Sequence, residues 1–413
     1  MEQRKVMVGE AMITDGDGQA VAREATFHPT RVRSGILAFF WAVTCAMVLF
    51  APNVISAQEE TVSKPPPPKK VQRPASYNQD PRGEAEVTLC SQNLQNLGTY
   101  AQSKARLFNI TTEEYELKRE ALVRRFKRAR CDVIAVQELL GRSVEEATET
   151  LQQLAKLLRA RTNRVFEVVA AESSDPLSRV GFIYALDRVD LQNKLSYSRL
   201  ELPKVSQNER PRQFIRPPME AQFAVKPRGD AAPKVLTVVN FHFKSKAGKE
   251  RDPVDLEWET YRMQMAEALR TVAENRHAAS FSSGESLLAV VGDRNSNFDA
   301  ASARILEGAL VLQQFRGEPQ CRLTQRGFPI CRTGSFRPAR LFSVITRDPV
   351  LQSQQGTFKF KGTFSFLDDI LMPQESLRAA FESFDRDSKY AAGIIRDYGE
   401  ASDHAMVYVT LNW

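Results

Sequence analysis

Four apolar runs in the chain end on polar residues capable of chemistry, and a fifth begins on one. Val87-Thr88-Leu89-Cys90 leads into Ser91-Gln92-Asn93, and the run Cys131 to Val136 leads into Gln137-Glu138. Val235 to Val239 leads into Asn240-Phe241-His242-Phe243-Lys244, and Leu287 to Val291 leads into Gly292-Asp293-Arg294-Asn295. Near the C-terminus the order reverses, and Ser402-Asp403-His404 precedes the run Ala405 to Val409. Short apolar runs bounded by turn signals predict buried strands. If the first four run one way and the last runs back, all five polar ends meet at one edge of the sheet system. Val180 to Tyr184 predicts another strand, after the loop Ser173 to Ser178.

Helical patterns separate these strands. Thr112 to Arg130 opens on Thr112 with the acids Glu113 and Glu114, as a helix start does. Leu117, Ala121, Leu122 and Phe126 supply its apolar stripe. Its other face carries Lys118, Arg119, Arg124, Arg125, Lys127 and Arg128. That face is expected to be solvated, with a polyanion contact as the alternative. Further helices are expected at about Val144 to Arg159 and Asp255 to Arg276. Strands alternating with helices predict one large α/β layered domain over residues 84–413.

The N-terminal residues follow a different pattern. Gly35 to Ala51 is mostly apolar, follows Arg31 and Arg33, and precedes Pro52 and the small residues Ser56-Ala57. This layout predicts a secretory signal over residues 1–57, cut after Ala57. The body is then secreted or periplasmic. The alternative is an uncleaved signal anchor that holds the body at a membrane, facing away from the cytoplasm, although the stretch is short for a span. Residues 58–83, which include Lys64-Pro65-Pro66-Pro67-Pro68-Lys69-Lys70, predict a Pro-rich disordered linker.

Charge adds a partner class. The net charge is +7. In residues 1–57 the acids Glu2, Glu10, Asp15, Asp17 and Glu24 balance Arg4, Lys5, Arg23, Arg31 and Arg33, so the excess belongs to the exported part. A basic surface favours polyanions such as nucleic acid or anionic lipid. Of the five cysteines, Cys45 lies in the export segment and Cys90 and Cys131 lie in predicted buried strands. Cys321 and Cys331 flank a short loop with Gly327 and Pro329, and a structural disulfide between them is expected in an oxidising compartment. No CxxC or Cys/His cluster points to zinc.

The strand ends carry the candidate chemistry. On an extended chain Asp293 and Asn295 share a face and Arg294 points away. A carboxylate beside an amide can orient a water while the amide contacts a phosphate oxygen. Asn240, His242 and Lys244 share the face opposite Phe241 and Phe243, and a His beside a Lys suits a phosphate ester. Glu138 ends its run as a carboxylate in need of a partner, either a salt bridge or a hard cation such as Mg²⁺. His404 follows Asp403 and can act as a base if a second group fixes its tautomer, for which Asp368 is the candidate. The other histidines do not compete: His28 lies in the signal and His277 near a helix end.

The ordered set of motifs resembles the endonuclease/exonuclease/phosphatase superfamily, the family of pancreatic deoxyribonuclease and the apurinic endonucleases. It consists of Ser91-Gln92-Asn93-Leu94-Gln95-Asn96-Leu97, Asp132 to Gln137-Glu138, Val180 to Tyr184, Asn240 to Ser245, Gly292-Asp293-Arg294-Asn295, Leu367-Asp368-Asp369-Ile370-Leu371 and Ser402-Asp403-His404. The match spans nearly all of residues 86–412 in the right order. The resemblance implies a four-layer α/β sandwich of two mixed β-sheets packed face to face and flanked by helices. It implies a hydrolase of phosphate esters that depends on Mg²⁺, with Mn²⁺ or Ca²⁺ as alternatives. By motif position Asn93 and Glu138 would bind metal, with Asp403 near it. His404 would be the general base, oriented by Asp368, and Asp293 and Asn295 would position water and the scissile phosphate. His242 would match the second histidine of the deoxyribonuclease-like branch, Tyr184 would have a supporting role, and Asn240 and Lys244 would contact substrate phosphate. Two positions depart from the family pattern: Arg294, usually apolar, and Asp369, often His or Tyr.

The implied function is an exported metal-dependent phosphodiesterase, with a nuclease favoured by charge. The alternatives are a phosphatase or a phospholipid (sphingomyelinase-like) phosphodiesterase of the same fold, or a non-catalytic binding module. A lipid-acting enzyme should show exposed apolar loops near the site. None is evident between Lys246 and Arg251 or between Phe298 and Leu306.

Overall fold

The apolar runs form strands in a computed structural model of the chain. The model describes residues 86–107, 109–227, 233–246, 256–283, 286–317, 319–325, 327–332, 340–354, 356–382, 392–397 and 400–411. The predicted signal or anchor and the Pro-rich linker lie outside the described residues. Among the described residues no helix is long and apolar enough to cross a membrane.

The strands in chain order are β1 (Val87–Leu97), β2 (Val133–Leu140), β3 (Phe166–Ala170), β4 (Ser178–Ala185), β5 (Val189–Ser196), β6 (Met219–Val225), β7 (Lys234–His242) and β8 (Ser286–Asp293). They continue with β9 (Cys321–Leu323), β10 (Pro329–Cys331), β11 (Leu341–Ser343), β12 (Phe358–Phe360), β13 (Thr363–Ser365), β14 (Asp368–Pro373), β15 (Ala392–Ile395) and β16 (Met406–Leu411). One six-stranded sheet has the order β15-β16-β1-β2-β4-β3, and the other has the order β11-β14-β8-β7-β6-β5. The pairs β9–β10 and β12–β13 stand apart as small hairpins.

Each large sheet contains one parallel pair, β1–β2 or β7–β8, and its other pairs are antiparallel. A parallel pair needs a crossover. The helices α1 (Tyr100–Arg106) and α2 (Thr112–Ala129) lie in the first crossover. After α3 (Val144–Thr162), α4 (Leu256–Arg276) lies in the second. The four strand ends therefore point one way, while β14 and β16 start at that same edge.

Alternation along the strands builds the layers. Leu89, Val133, Ala135 and Phe182 of the first sheet pack against Phe223, Val238, Ala289 and Val291 of the second. The intervening residues face outward. Cys90, Ile134 and Val136 meet Leu122 and Phe126 of α2 and Leu151 of α3. Val239, Phe241 and Val290 meet Met265 and Leu269 of α4. The result is the expected helix, sheet, sheet, helix sandwich.

α2 differs from expectation in which face it buries. Thr111 caps it in a capping box with Glu114, and Arg130 ends it in the left-handed conformation. Leu117, expected in the apolar stripe, is 60% exposed. Lys118 and Arg125, expected in solvent, are buried. The buried stripe is Tyr115, Lys118, Ala121, Leu122, Arg125 and Phe126, a run of three- and four-residue steps. Its two cations lie over the polar edge of the sheet, where hydrogen-bond acceptors await them.

Two disulfides staple the domain. Cys321–Cys331 joins the paired strands β9 and β10, as expected. Cys90–Cys131 links β1 to the residue at which the chain leaves α2 for β2. Sequence reading assigned those two cysteines only to buried strands, because separate strands give no spacing signal for pairing. The bond closes a 41-residue separation around the α2 crossover. Replacing Cys90 and Cys131 together by Ala is expected to lower the unfolding free energy by about 4 kcal/mol through loop-closure entropy. Urea denaturation beside the oxidised wild type would measure this.

Candidate active site

The polar strand ends meet at one sheet edge, and those of β1, β2 and β8 carry a local irregularity. The β1–β2 register shifts between Asn93 and Leu97, and the β2–β4 register shifts between Val136 and Leu139. Gln95, Asn96 and Glu138 have φ of 51°, 55° and 54°. Such bulges re-aim side chains next to functional sites. Here the Asn96 N–H donates to Glu138 Oε2 at 3.1 Å, and the Gln95 N–H donates to Asn93 Oδ1 at 2.9 Å. In β8, Gly292 has φ 147°, and a Cβ there would lie 1.9 Å from the Phe241 carbonyl oxygen. Only glycine allows β7 and β8 to approach this closely before Asp293.

Asp293 is the centre of the arrangement. Asn93 Nδ2 donates to its Oδ2 at 3.0 Å. His242 Nε2 lies 3.6 Å and His404 Nε2 3.9 Å from that same oxygen. Its Oδ1 accepts from the Asn295 N–H at 2.7 Å. That contact makes a tight turn instead of the extended segment expected for Asp293 to Asn295, and Asn295 sits at φ 53°. Asp368 pairs with Asp293 across β14 and β8. Asp368 Oδ2 lies 2.8 Å from His404 Nδ1, which fixes the ring with Nε2 turned to the site. Glu138 Oε1 lies 3.9 Å from His242 Nε2. Asp403 and Glu138 line a cleft of 1270 Å³ together with His404, Asn295 and Lys118.

Electrostatics separate the two histidines. Burial opposes charge on His404, but Asp368, with Asp293 and Asp403, holds its proton up to about 10. Burial, with Arg216, His404 and Lys244 nearby, pushes His242 well below the ordinary histidine value. His242 is thus a neutral ring, and neither of its buried nitrogens has a hydrogen-bond partner. Burial raises Asp293 to about 7, against the pull of His404 and with Asp368 adding to the rise. Burial also raises Asp403.

These residues fit a divalent cation. Donor atoms of Glu138, His242 and Asp293 lie within 4.8 Å of one another, as do those of Asp293, Asp368 and His404. Carboxylates joined by an amide and an imidazole suit a hard to borderline divalent ion. Crowded carboxylates with raised proton affinity and an orphaned imidazole nitrogen both call for a positive partner.

Three expected site residues make other contacts than those expected. Tyr184 pairs with Val133 at the opposite end of β2, about 17 Å along the strand from Glu138. Its hydroxyl donates to Glu167 and its ring packs on Phe223. Asn240 is fully buried between the sheets. Its Nδ2 donates to the Val136 and Gly181 carbonyls, and its Oδ1 accepts from Gln137 Nε2. It joins the two sheets and cannot reach a phosphate. Lys244 follows the end of β7, and its Nζ lies over the Trp258 ring at 4.3 Å.

Three supporting residues escape a reading of the sequence. Lys118 Nζ donates to Gln95 Oε1 and the Ala401 carbonyl. Arg125 donates to Gln92 Oε1 and the His404 carbonyl and pairs with Asp397. Ser402 Oγ donates to the Asn93 carbonyl and accepts from the His404 N–H. The signal for the two cations was their seven-residue spacing along the apolar stripe.

The two departures from the family pattern explain each other. Arg294 Nη1 lies 3.1 Å from Asp369 Oδ2, on the side of the sheet away from the cleft, and both are buried. Ser343 Oγ donates to Asp369 Oδ1, and Arg294 Nη2 donates to the Phe366 carbonyl. Each residue immediately follows a carboxylate of the site, so the pair fastens β8 to β14 from behind.

No family model and no curated protein matches the sequence. In structure the chain is similar to endonuclease/exonuclease/phosphatase family proteins. One such protein from Bacteroides thetaiotaomicron shares 13% identity at TM-score 0.44, covering 79% of this chain and 97% of that one. D. rerio TDP2, humanized by 14 mutations, shares 12% identity at TM-score 0.47, covering 80% of this chain and 100% of that one. ANGEL2, a 2',3'-cyclic phosphatase, shares 10% identity at TM-score 0.48, covering 79% and 96%.

A raised folded-state pKa makes His404 a stabilising cation below its unfolded value near 6.5, and that stabilisation fades as pH rises toward about 10. Asp368→Asn removes the leading support. In metal-free protein, imidazole NMR titration is expected to show His404 losing its proton at lower pH, with less stability gained below neutrality. An unchanged titration would show that Asp368 is not what holds the proton.

For the Arg294–Asp369 pair, Arg294→Met or Asp369→Leu alone strands a buried charge and is expected to cost about 3–5 kcal/mol. The double substitution is expected to cost less than either single change, as read by a denaturation double-mutant cycle.

Proposed function

We propose that this chain is an exported nuclease that hydrolyses nucleic-acid phosphodiester bonds with a divalent cation, Mg²⁺ in the first instance. The observation that carries the reading is the meeting of His404, His242, Asn93 and Asp293 around one carboxylate oxygen, with Glu138 at the cleft side. That set supplies a proton-transfer group, a neutral hydrogen-bond donor and anionic cation ligands within one contact distance. The sequence resemblance assigns the same residues to phosphoester hydrolysis.

Glu138, Asn93 and Asp403 would hold the cation, with Asp293 and His242 beside it. When bound, the cation supplies charge stabilisation for the phosphoryl oxygens. The chain's own residues supply the rest. Asp368 orients His404 so that Nε2 faces the cleft, where it takes or returns the proton of the attacking water. Asp293, whose Oδ2 lies 3.9 Å from that Nε2, orients the same water. His242, neutral and without an internal partner, donates to a non-bridging phosphate oxygen. Asn295, tied to the Phe243 carbonyl, forms the wall next to it.

The choice of nucleic acid rests on the positive charge of the exported part and on Arg106, Lys118 and Lys246 around the cleft. Export rests on the predicted signal, and two disulfides agree with an oxidising compartment.

Plasmid and oligonucleotide cleavage by the full chain would test this. Nicking in Mg²⁺ is expected to stop with chelator and to fall about 10²- to 10⁴-fold in His404→Ala, the usual range for a general acid–base group. Folded protein inert toward DNA and RNA in Mg²⁺, Mn²⁺ and Ca²⁺ would sink the nuclease reading and direct attention to phosphomonoesters and phospholipids.

A further inference from the structure

The hairpin β12–β13 is unused by the chemistry above, yet it is built onto the catalytic segment. Phe358 bridges to His404, the Lys359 N–H donates to the Asp403 carbonyl, and the Ala405 N–H donates to the Thr357 carbonyl. Thr357 Oγ1 also accepts the N–H groups of Leu367 and Asp368. The hairpin is therefore fixed in position relative to both His404 and its orienting carboxylate. Its turn is tight, with Lys361 at φ 47° and Gly362 at φ 82°, the handedness that two-residue hairpins favour.

This scaffold displays aromatic faces. The Phe358 ring lies 4.6 Å from the His404 ring. Phe360 follows two residues on, its plane within 7° of that of Phe358 and its centroid 6.3 Å away. Phe360 is 59% exposed, and both rings line the cleft. Lys361 Nζ lies 5.4 Å from the Phe360 ring centre, and Lys359 and Lys361 are exposed. An apolar ring ladder edged by ammonium groups beside a phosphate-cleaving histidine matches one ligand chemistry: a flat base on a phosphate backbone.

From these contacts we infer that the Phe358–Phe360 ladder is a stacking platform for an unpaired nucleobase next to the scissile phosphate. The inference rests on the nuclease reading and narrows it. A base inside a duplex has both faces covered by its neighbours, so only a single strand, an overhang or an extruded nucleotide offers a face to Phe360. Single-stranded nucleic acid is then the preferred substrate class. A lipid surface is the weaker match, because the hairpin tip is Lys361-Gly362 and presents a charge instead of an apolar wedge.

The test measures binding of the full chain in chelator at low salt, so it does not depend on turnover. Fluorescence anisotropy would compare labelled oligo-dT with an abasic oligonucleotide of equal length. Wild type is expected to prefer oligo-dT roughly tenfold, the scale of one base–aromatic stack. Phe360→Ala is expected to erase that preference, and Phe360→Trp to restore it. Equal binding of the two oligonucleotides by wild type, or an unchanged preference in Phe360→Ala, would overturn the platform. So would Phe360→Ala weakening attachment to sphingomyelin vesicles while leaving the oligo-dT preference intact. A preference that depends on Phe360, in a protein that cleaves no nucleic acid in Mg²⁺, would uphold the platform and remove the nuclease reading.

Discussion

One oxygen atom, Asp293 Oδ2, sets the geometry of the whole edge. Asn93 from the first sheet donates to it, and His242 from the second and His404 from the segment before β16 both face it. These groups come from strands far apart in sequence, so they meet only if the two sheets stack in a single register. The inner apolar residues provide the driving force for stacking but not the register, because hydrophobic packing is non-directional. Register comes from buried polar ties. Asn240 reaches from β7 to the Val136 and Gly181 carbonyls and to Gln137, all in the other sheet. A slip of one residue would strand those groups without partners, at a cost of about 1–3 kcal/mol each.

A second constraint follows from gathering anions at one edge. Glu138, Asp293, Asp368 and Asp403 repel one another, and the protein offsets part of that charge with cations from neighbouring elements. Lys118 and Arg125 come in from α2, and Arg216 donates to the Phe243 carbonyl at the other end. These cations bond mainly to carbonyl and amide oxygens, so they brace the loops without neutralising the carboxylates outright. The loops on both sides of the cleft are thereby tied to the layers behind them.

The sequence carried the architecture because each run alternated cleanly between core-facing positions and ended on a polar residue. Glu138, His242, Asp293, Asp368 and His404 stood out because catalytic types are few and sat at strand ends. What could not be read were properties of faces and rotations. Asn240 and Lys244 shared a strand face with His242, but a face pattern does not say where along the strand the cleft begins. Tyr184 belonged to the right strand at the wrong end, since an antiparallel neighbour reverses direction. The burial of Lys118 and Arg125 depends on how far α2 overhangs the sheet, which one-dimensional periodicity leaves open. Arg294 and Asp369 looked like separate oddities because their pairing exists only across β8 and β14.

The two histidines show how position turns one residue type into two reagents. His242 is fully buried with Arg216, His404 and Lys244 nearby and stays neutral, while His404 faces three carboxylates and keeps its proton far above neutrality. Environments that drive two titratable groups apart assign acid and base roles without any change in residue type. The assignment is conditional on charge. A group held protonated to about 10 is a poor base until something positive shares its carboxylates. The same acid cluster that makes His404 sluggish alone is the cluster that fits a divalent cation. Occupancy and base strength are therefore linked through Asp293 and Asp403, two raised carboxylates that belong to the acid cluster and also help to hold the His404 proton.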